Sequence, residues 1–186
     1  MLIAMAGLPG TGKSTIAARL AERLGGVVLC KDVVRRALFP PPALDYSREQ
    51  DDLALRAMYL AANRIRDAAN LHVIIDGRTF SKAYQVRDLF TAAERMGLIP
   101  CIIECICSDE VARERIERDL QQGTHLAGNR TFAMYLEMKA RAEPLTVPRL
   151  VLDTGNEALE ECVSRAGSYV SKESLISKGS ATEFWK

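Results

Sequence analysis

Apolar residues fall into two alternating rhythms along the chain. Five short runs are almost wholly apolar: Leu2–Ala6, Val27–Cys30, His72–Asp76, Ile99–Cys107 and Leu150–Leu152. Between them, apolar residues recur every three or four positions, the spacing of an amphipathic helix. That spacing predicts a helix over Ser14–Leu24, a short one over Val33–Phe39 and a long one over about Arg48–Asn70. Further helices are expected over Ala83–Met96, Glu110–Leu120, Thr131–Ala142 and Glu157–Gly167. The long helix is expected to carry an apolar stripe of Leu53, Ala57, Leu60, Ala61 and Ile65. Strands that alternate with helices imply βαβ crossovers, hence an α/β fold with a parallel sheet flanked by helices. The Ile, Val and Leu content of the strands fits a sheet covered on both faces.

Punctuation supports the same division. Pro40-Pro41-Pro42 is a stiff break before the long helix. Gly123–Asn129 is a polar, glycine-bearing connection between two helices, and is expected to move. The tail Lys178–Lys186, with Phe184 and Trp185, shows no clear pattern. With 186 residues, one domain over 1–177 and a tail over 178–186 is the expected organisation.

Composition excludes several classes. Hydrophobic residues at 48% and charged residues at 26% are ordinary for a globular protein. A net charge of +1 gives no general attraction to nucleic acid or to a membrane surface. No apolar run reaches the length of a membrane span, and the first residues lack the basic flank of a signal peptide, so the cytoplasm is the expected compartment. The cysteines are Cys30, Cys101, Cys105, Cys107 and Cys162. Strand alternation puts Cys101, Cys105 and Cys107 on one face with Ile103, as small buried thiols rather than as a metal site.

The run Gly7-Leu8-Pro9-Gly10-Thr11-Gly12-Lys13-Ser14-Thr15 carries the chemistry. It fits G-x-x-x-x-G-K-[ST], a phosphate-binding P-loop, and stands where that motif needs to stand, between a strand and a helix. Its glycines allow backbone N–H groups to approach phosphate oxygens, and the helix opening near Lys13 turns its positive end to the same anion. Gly10, Thr11, Gly12, Lys13, Ser14 and Thr15 are the expected nucleotide contacts, with Lys13 on the β- and γ-phosphates and the Ser14 hydroxyl on Mg²⁺.

Ligands in open α/β sheets gather at the carboxyl ends of the strands. Val73-Ile74-Ile75-Asp76 closes an apolar strand with a carboxylate, a second candidate Mg²⁺ ligand or a turn cap. Asp32 and Arg35, three apart at the start of a helix, can face one cavity. There a carboxylate accepts a proton from an attacking hydroxyl and an arginine holds an anionic group; the other reading is a helix cap and a solvated arginine. Arg115 and Arg118 stand one turn apart on a helix that also carries Glu–Arg pairs. They can cover the adenine and the transferring phosphate, or form a solvated face. His125, Asn129 and Arg130 fall in or beside the expected moving segment, about 118–130.

These pieces resemble a P-loop kinase of the group that contains polynucleotide 5′-hydroxyl kinases, zeta-toxin-like kinases and adenylylsulfate kinases. The resemblance rests on Gly7–Thr15, Asp32-x-x-Arg35, Val73–Asp76, the arginines near Arg115, and Leu150-Val151-Leu152-Asp153-Thr154. It implies a P-loop NTPase fold of kinase type, with a five-stranded parallel sheet in the order 2-3-1-4-5 and a helical lid. It further implies ATP and Mg²⁺ as cofactors, Lys13, Asp32 and Arg118 as catalytic residues, Arg115 on the nucleotide, Ser14 and Asp76 on the metal, and Arg35 with Arg78 on the acceptor. Two departures bear on the acceptor. Polynucleotide kinases usually read Asp-Ala-Thr-Asn where this chain reads Asp76-Gly77-Arg78-Thr79, and their lid arginines usually lie four apart, whereas Arg115 is followed at four by Asp119, so that either Arg118 or Arg130 takes that role or the lid works differently.

The expected function is transfer of the ATP γ-phosphate to a hydroxyl of a small molecule. A polynucleotide 5′-hydroxyl kinase is the nearest alternative, disfavoured by the modest net charge. A nucleotide-dependent switch without an acceptor is the alternative of another class. Guanine specificity is not expected, since no N-K-x-D follows the fourth strand.

Overall fold

A computed structural model describes residues 1–123 and 130–179. Its strands are β1 (Leu2–Ala6), β2 (Val27–Cys30), β3 (Val73–Asp76), β4 (Cys101–Ile106) and β5 (Leu150–Asp153). Its helices are α1 (Lys13–Leu24), α2 (Lys31–Leu38), α3 (Arg48–Ala69), α4 (Ala83–Arg95), α5 (Asp109–Gln122), α6 (Phe132–Ala140) and α7 (Leu159–Gly179), with a 3-10 turn at Pro41–Ala43. The strands form one parallel sheet in the order β2-β3-β1-β4-β5. Among the described residues no helix is long and apolar enough to cross a membrane. His125 and Asn129, like Phe184 and Trp185, lie outside the described residues.

Strand alternation divides the core into two layers. Ile3 and Met5 of β1, with Ile74, Cys101, Ile103 and Cys105, pack under α1 and α7. Leu2, Ala4 and Ala6, with Val73, Ile75 and Ile102, pack under α3 and α4. The expected thiol face is therefore observed for Cys101 and Cys105, and burial pushes both thiols up to about 12. Cys107 stands just past the strand, half-buried beside the P-loop.

The expected stripe on the long helix is corrected. Leu53 and Leu60 are 47% and 73% exposed, and Ala57, Ala61 and Ile65 are half-buried. The buried face is Gln50, Ala54, Leu55, Met58 and Ala62. α3 carries apolar residues on more than one face, and spacing alone cannot tell which face meets the sheet. α7 also runs on to Gly179, past the expected end at Gly167.

Several local features hold the carboxyl ends of the strands in place. Gly7 has φ 126°, and a Cβ there would lie 2.2 Å from the Cys105 carbonyl oxygen, so β1 and β4 close over a bare backbone. Its N–H donates to the Thr79 carbonyl at 3.0 Å, tying the P-loop to the turn after β3. Ser47 caps α3 and Ser108 caps α5 through their hydroxyls.

Candidate active site

The P-loop wraps around its own lysine. Lys13 Nζ donates to the Leu8 carbonyl at 2.7 Å, and Thr11 Oγ1 donates to the same oxygen at 2.8 Å. Lys13 is 6% exposed. Desolvation, reinforced by the nearby positive charge of Arg130, brings its ammonium down from 10.5 to about 8. A buried cation with no carboxylate in contact among the described residues is a poor arrangement alone and a good one beside a polyphosphate.

Ser14 Oγ donates to Asp76 Oδ2 at 2.7 Å. Asp76 is 2% exposed, and its other oxygen, Oδ1, is buried without a hydrogen-bond partner. A hydroxyl and a carboxylate make a hard oxygen donor set, and a carboxylate oxygen buried without a donor fits a bound cation or its water. The residues present therefore fit Mg²⁺. The strand ending at Asp76 is buried along its whole length, which explains why this carboxylate is dry.

The opposite wall of the P-loop is clamped from α5 and β5. Arg115 Nη1 donates to the Gly10 carbonyl at 3.2 Å and to Thr154 Oγ1 at 2.9 Å, and Nη2 to the Thr154 carbonyl at 2.8 Å. Thr154 Oγ1 in turn donates to the Thr11 carbonyl at 2.9 Å. A cavity of about 420 Å³ opens here, lined by Gly10, Gly12 and Lys13–Ile16 on one side and by Arg115, Arg118, Arg130 and Thr154 on the other. Arg118 is half-exposed and lies 3.8 Å from Glu114, one turn back. Thus Arg115 braces the loop, whereas Arg118 stands at the rim.

A second cavity, of about 270 Å³, lies on the other side of Lys13. Asp32 and Arg35 both line it, and each is 3% exposed. Asp32 is not a cap: α2 begins at Lys31, after Cys30, and no side chain caps it. Nor is Arg35 solvated. Its Nη2 donates to Asp32 Oδ1 at 2.5 Å, its Nη1 donates to Asp51, and its guanidinium lies 4.7 Å from the centre of the Tyr46 ring. Lys31 Nζ reaches the other Asp51 oxygen at 2.6 Å. Arg78, 6% exposed, donates to Asp52 at 2.7 Å and to Tyr84 Oη at 3.2 Å. Arg130 lines both cavities, with Nη2 at 3.4 Å from Asp32 Oδ2.

Gly77 makes this juxtaposition possible. Its φ is 95°, and a Cβ there would lie 2.9 Å from Lys31 Cβ, so the turn after β3 and the start of α2 touch without a side chain between them. The structure thus gathers Lys13, Ser14, Asp32, Arg35, Asp76 and Arg78 around two adjoining cavities, and leaves Arg118 at the edge of the first. Asp51, Asp52, Tyr46 and Tyr84 were not legible as site residues. The adjacent acids Asp51 and Asp52 near the start of α3 are the signal that the sequence holds for them.

A family model described as an AAA domain matches residues 2–159. The chain belongs to this family. Within the AAA-domain match lie every strand and the whole P-loop. No curated protein matches the sequence. Among solved structures, a candidate kinase from Chloroflexus aurantiacus is 24% identical, with a TM-score of 0.73 over 92% of this chain and 97% of that one. An APS kinase from Mycobacterium tuberculosis, solved with AMPPNP and APS, is 18% identical, with a TM-score of 0.71 over 91% and 96%. A gluconokinase from Sinorhizobium meliloti is 16% identical, with a TM-score of 0.69 over 96% and 97%. These likenesses show that this AAA-domain chain has the P-loop kinase fold.

Proposed function

We propose that the protein is an ATP-dependent phosphotransferase that moves the γ-phosphate to a hydroxyl of a small-molecule acceptor. The observation that carries this reading is the buried Asp32–Arg35 pair in a second cavity that shares Lys13 and Arg130 with the P-loop cavity. A nucleotide switch needs no second cavity with its own buried carboxylate on the far side of the P-loop lysine. A polymer track would ask for an open basic groove rather than a cavity of about 270 Å³.

ATP lies along the P-loop cavity, with Lys13 on the β- and γ-phosphates. Ser14 and Asp76 would hold Mg²⁺, which would supply neutralisation of the phosphate charge. Asp32 accepts the proton of the acceptor hydroxyl. The acceptor oxygen then bonds to the γ-phosphorus, the bond from that phosphorus to the β–γ bridging oxygen breaks, and ADP leaves. Arg35 and Arg78 set the acceptor, Arg35 also fixing Asp32 through its 2.5 Å contact. Arg130, and from the rim Arg118, stabilise charge on the transferring group. The named ligands of the APS kinase, AMPPNP and APS, and the gluconokinase's name agree with a nucleotide donor and a small acceptor.

The test is transfer of label from γ-³²P-ATP, with and without Mg²⁺, to a panel of sugars, nucleosides, hydroxylated antibiotics and 5′-hydroxyl oligonucleotides. Mg²⁺-dependent labelling of a small acceptor, lost in Lys13→Ala, supports the proposal. Labelling of the oligonucleotides alone, or ATP hydrolysis with no labelled acceptor, overturns it.

A further inference from the structure

The cavity at Asp32 holds more cations than its carboxylates match. Among the described residues, Lys13, Lys31, Arg35, Arg78 and Arg130 line it, against Asp32 and Asp51. Asp52, outside the lining, adds a third carboxylate through Arg78. Lys13, Lys31, Arg35 and Arg78 are each 9% exposed or less, so water does little to screen them. Lys13 registers the excess: desolvation lowers its ammonium most, and the charges of Arg130 and Lys31 lower it further.

The cations are not spent alike. Arg35 gives Nη2 to Asp32 and Nη1 to Asp51, and its remaining nitrogen, Nε, is buried without a hydrogen-bond partner among the described residues. Its work is internal, and it adds an uncompensated N–H to that wall. Lys31 meets Asp51 at 2.6 Å, one contact for an ammonium that carries three donors. Arg78 uses Nη2 on Asp52 and Tyr84 Oη, out of a guanidinium with five N–H groups. Both therefore keep donors in hand. They also stand together, because Gly77, the neighbour of Arg78, would carry a Cβ only 2.9 Å from Lys31 Cβ.

We infer that the acceptor is a compact acidic alcohol, whose hydroxyl meets Asp32 and whose anionic group, a carboxylate or a phosphate, meets Lys31 and Arg78. This rests on the kinase reading above. Compactness follows from size: sites that enclose a drug-sized molecule run to roughly 300–1,000 Å³, and this cavity has about 270 Å³. A neutral polyol would leave the buried cations in excess, whereas an anion gains charge-assisted hydrogen bonds from both. The anionic group takes no part in the transfer. It fixes the end of the molecule that does not react, and leaves Arg130 to the transferring phosphate.

Two series, each on one carbon skeleton, test this: glycerol, glycerate and glycerol 3-phosphate; glucose, gluconate and glucose 6-phosphate. Binding is read by titration calorimetry on the wild-type protein saturated with AMPPNP and Mg²⁺, which keeps the added anions off the P-loop. At least one acid is expected to bind about tenfold or more tighter than its neutral parent. Lys31→Met is expected to bring that ratio close to one, and Lys31→Arg to preserve it. Equal binding of acids and parents by the wild type, or a ratio unchanged in Lys31→Met, overturns the inference. A gain confined to the carboxylates or to the phosphates supports it and names the group. Transfer of label from γ-³²P-ATP to the same compounds keeps the two readings apart. Tighter binding of an acid without transfer leaves the anion site standing while the kinase reading falls. Transfer to the neutral compounds, with no gain in binding for the acids, leaves the kinase reading standing and overturns the anion site.

Discussion

Ser14 Oγ and Asp76 Oδ2 are joined by a 2.7 Å hydrogen bond across 62 residues of sequence. The contact brings the first turn of α1 against the end of β3, and it leaves Asp76 Oδ1 buried without a donor. In the proposed reaction both groups serve Mg²⁺. Asp76→Asn is expected to raise the Mg²⁺ concentration needed for half-maximal transfer by roughly 10–100-fold. A titration of activity against Mg²⁺ measures this, and an unchanged midpoint removes Asp76 from the metal site.

Lys13 gives a pH dependence of definite sign. Its ammonium titrates near 8 in the folded chain and near 10.5 when unfolded. The charged form is thus disfavoured by folding, so its cost is fully present below about 8 and is relieved as pH rises from about 8 towards 10.5. Lys13→Met is expected to melt higher than wild type at pH 7 without nucleotide, by an amount on the order of 1–3 kcal/mol. The gap should narrow between pH 8 and 10.5 in thermal melts. ATP affinity of the wild type should fall above pH 8, because the phosphates favour the protonated form.

Asp32 and Arg35 separate chemistry from stability. Asp32→Asn is expected to lower kcat by roughly 10²-fold or more while ATP binding stays near wild type. Arg35→Ala removes the partner of two carboxylates, one of them 3% exposed, and is expected to cost about 3–5 kcal/mol in urea unfolding. Full kcat in Asp32→Asn with a phosphorylated acceptor would leave Asp32 a structural ion-pair partner.

The order of importance among the arginines also follows from placement. Arg130 lines both cavities and lowers the Lys13 titration through its charge, whereas Arg118 is half-exposed. Arg130→Ala is expected to lower kcat by about 10²–10³-fold and to move the alkaline fall in ATP affinity to higher pH. Arg118→Ala should have a smaller effect. Equal losses in the two variants would show that both reach the transferring phosphate.

Much of this was legible because it depends on neighbours in sequence. Gly7–Thr15 is a complete local motif, and Asp32 with Arg35 share a helix face by spacing alone. The strand order agrees with the order that the resemblance implied. What escaped depends on neighbours in space. Asp51 and Asp52 read as ordinary acids near the start of a helix, yet they close ion pairs with Lys31, Arg35 and Arg78 from other elements of the fold. Tyr46 sits at a positive φ of 58° beneath Arg35, and no pattern announces that. The α3 stripe failed for the same reason. Two apolar sets share one helical period there, and the sheet chose Ala54, Leu55, Met58 and Ala62.

Cys30 lies opposite Asp76 in the β2–β3 ladder, and the bare backbone of Gly77 lets the two chains continue in contact to Lys31 and Asp32. In the proposed reaction the donor-side carboxylate, Asp76, thus ends one strand, and the acceptor-side carboxylate, Asp32, stands two residues past the end of its neighbour, the strands themselves lying about 4.8 Å apart. That spacing works as a gauge cut into the sheet. Side chains around the acceptor can be exchanged one after another, and substrate preference can drift, while the gauge across which a phosphoryl group would pass stays the same width.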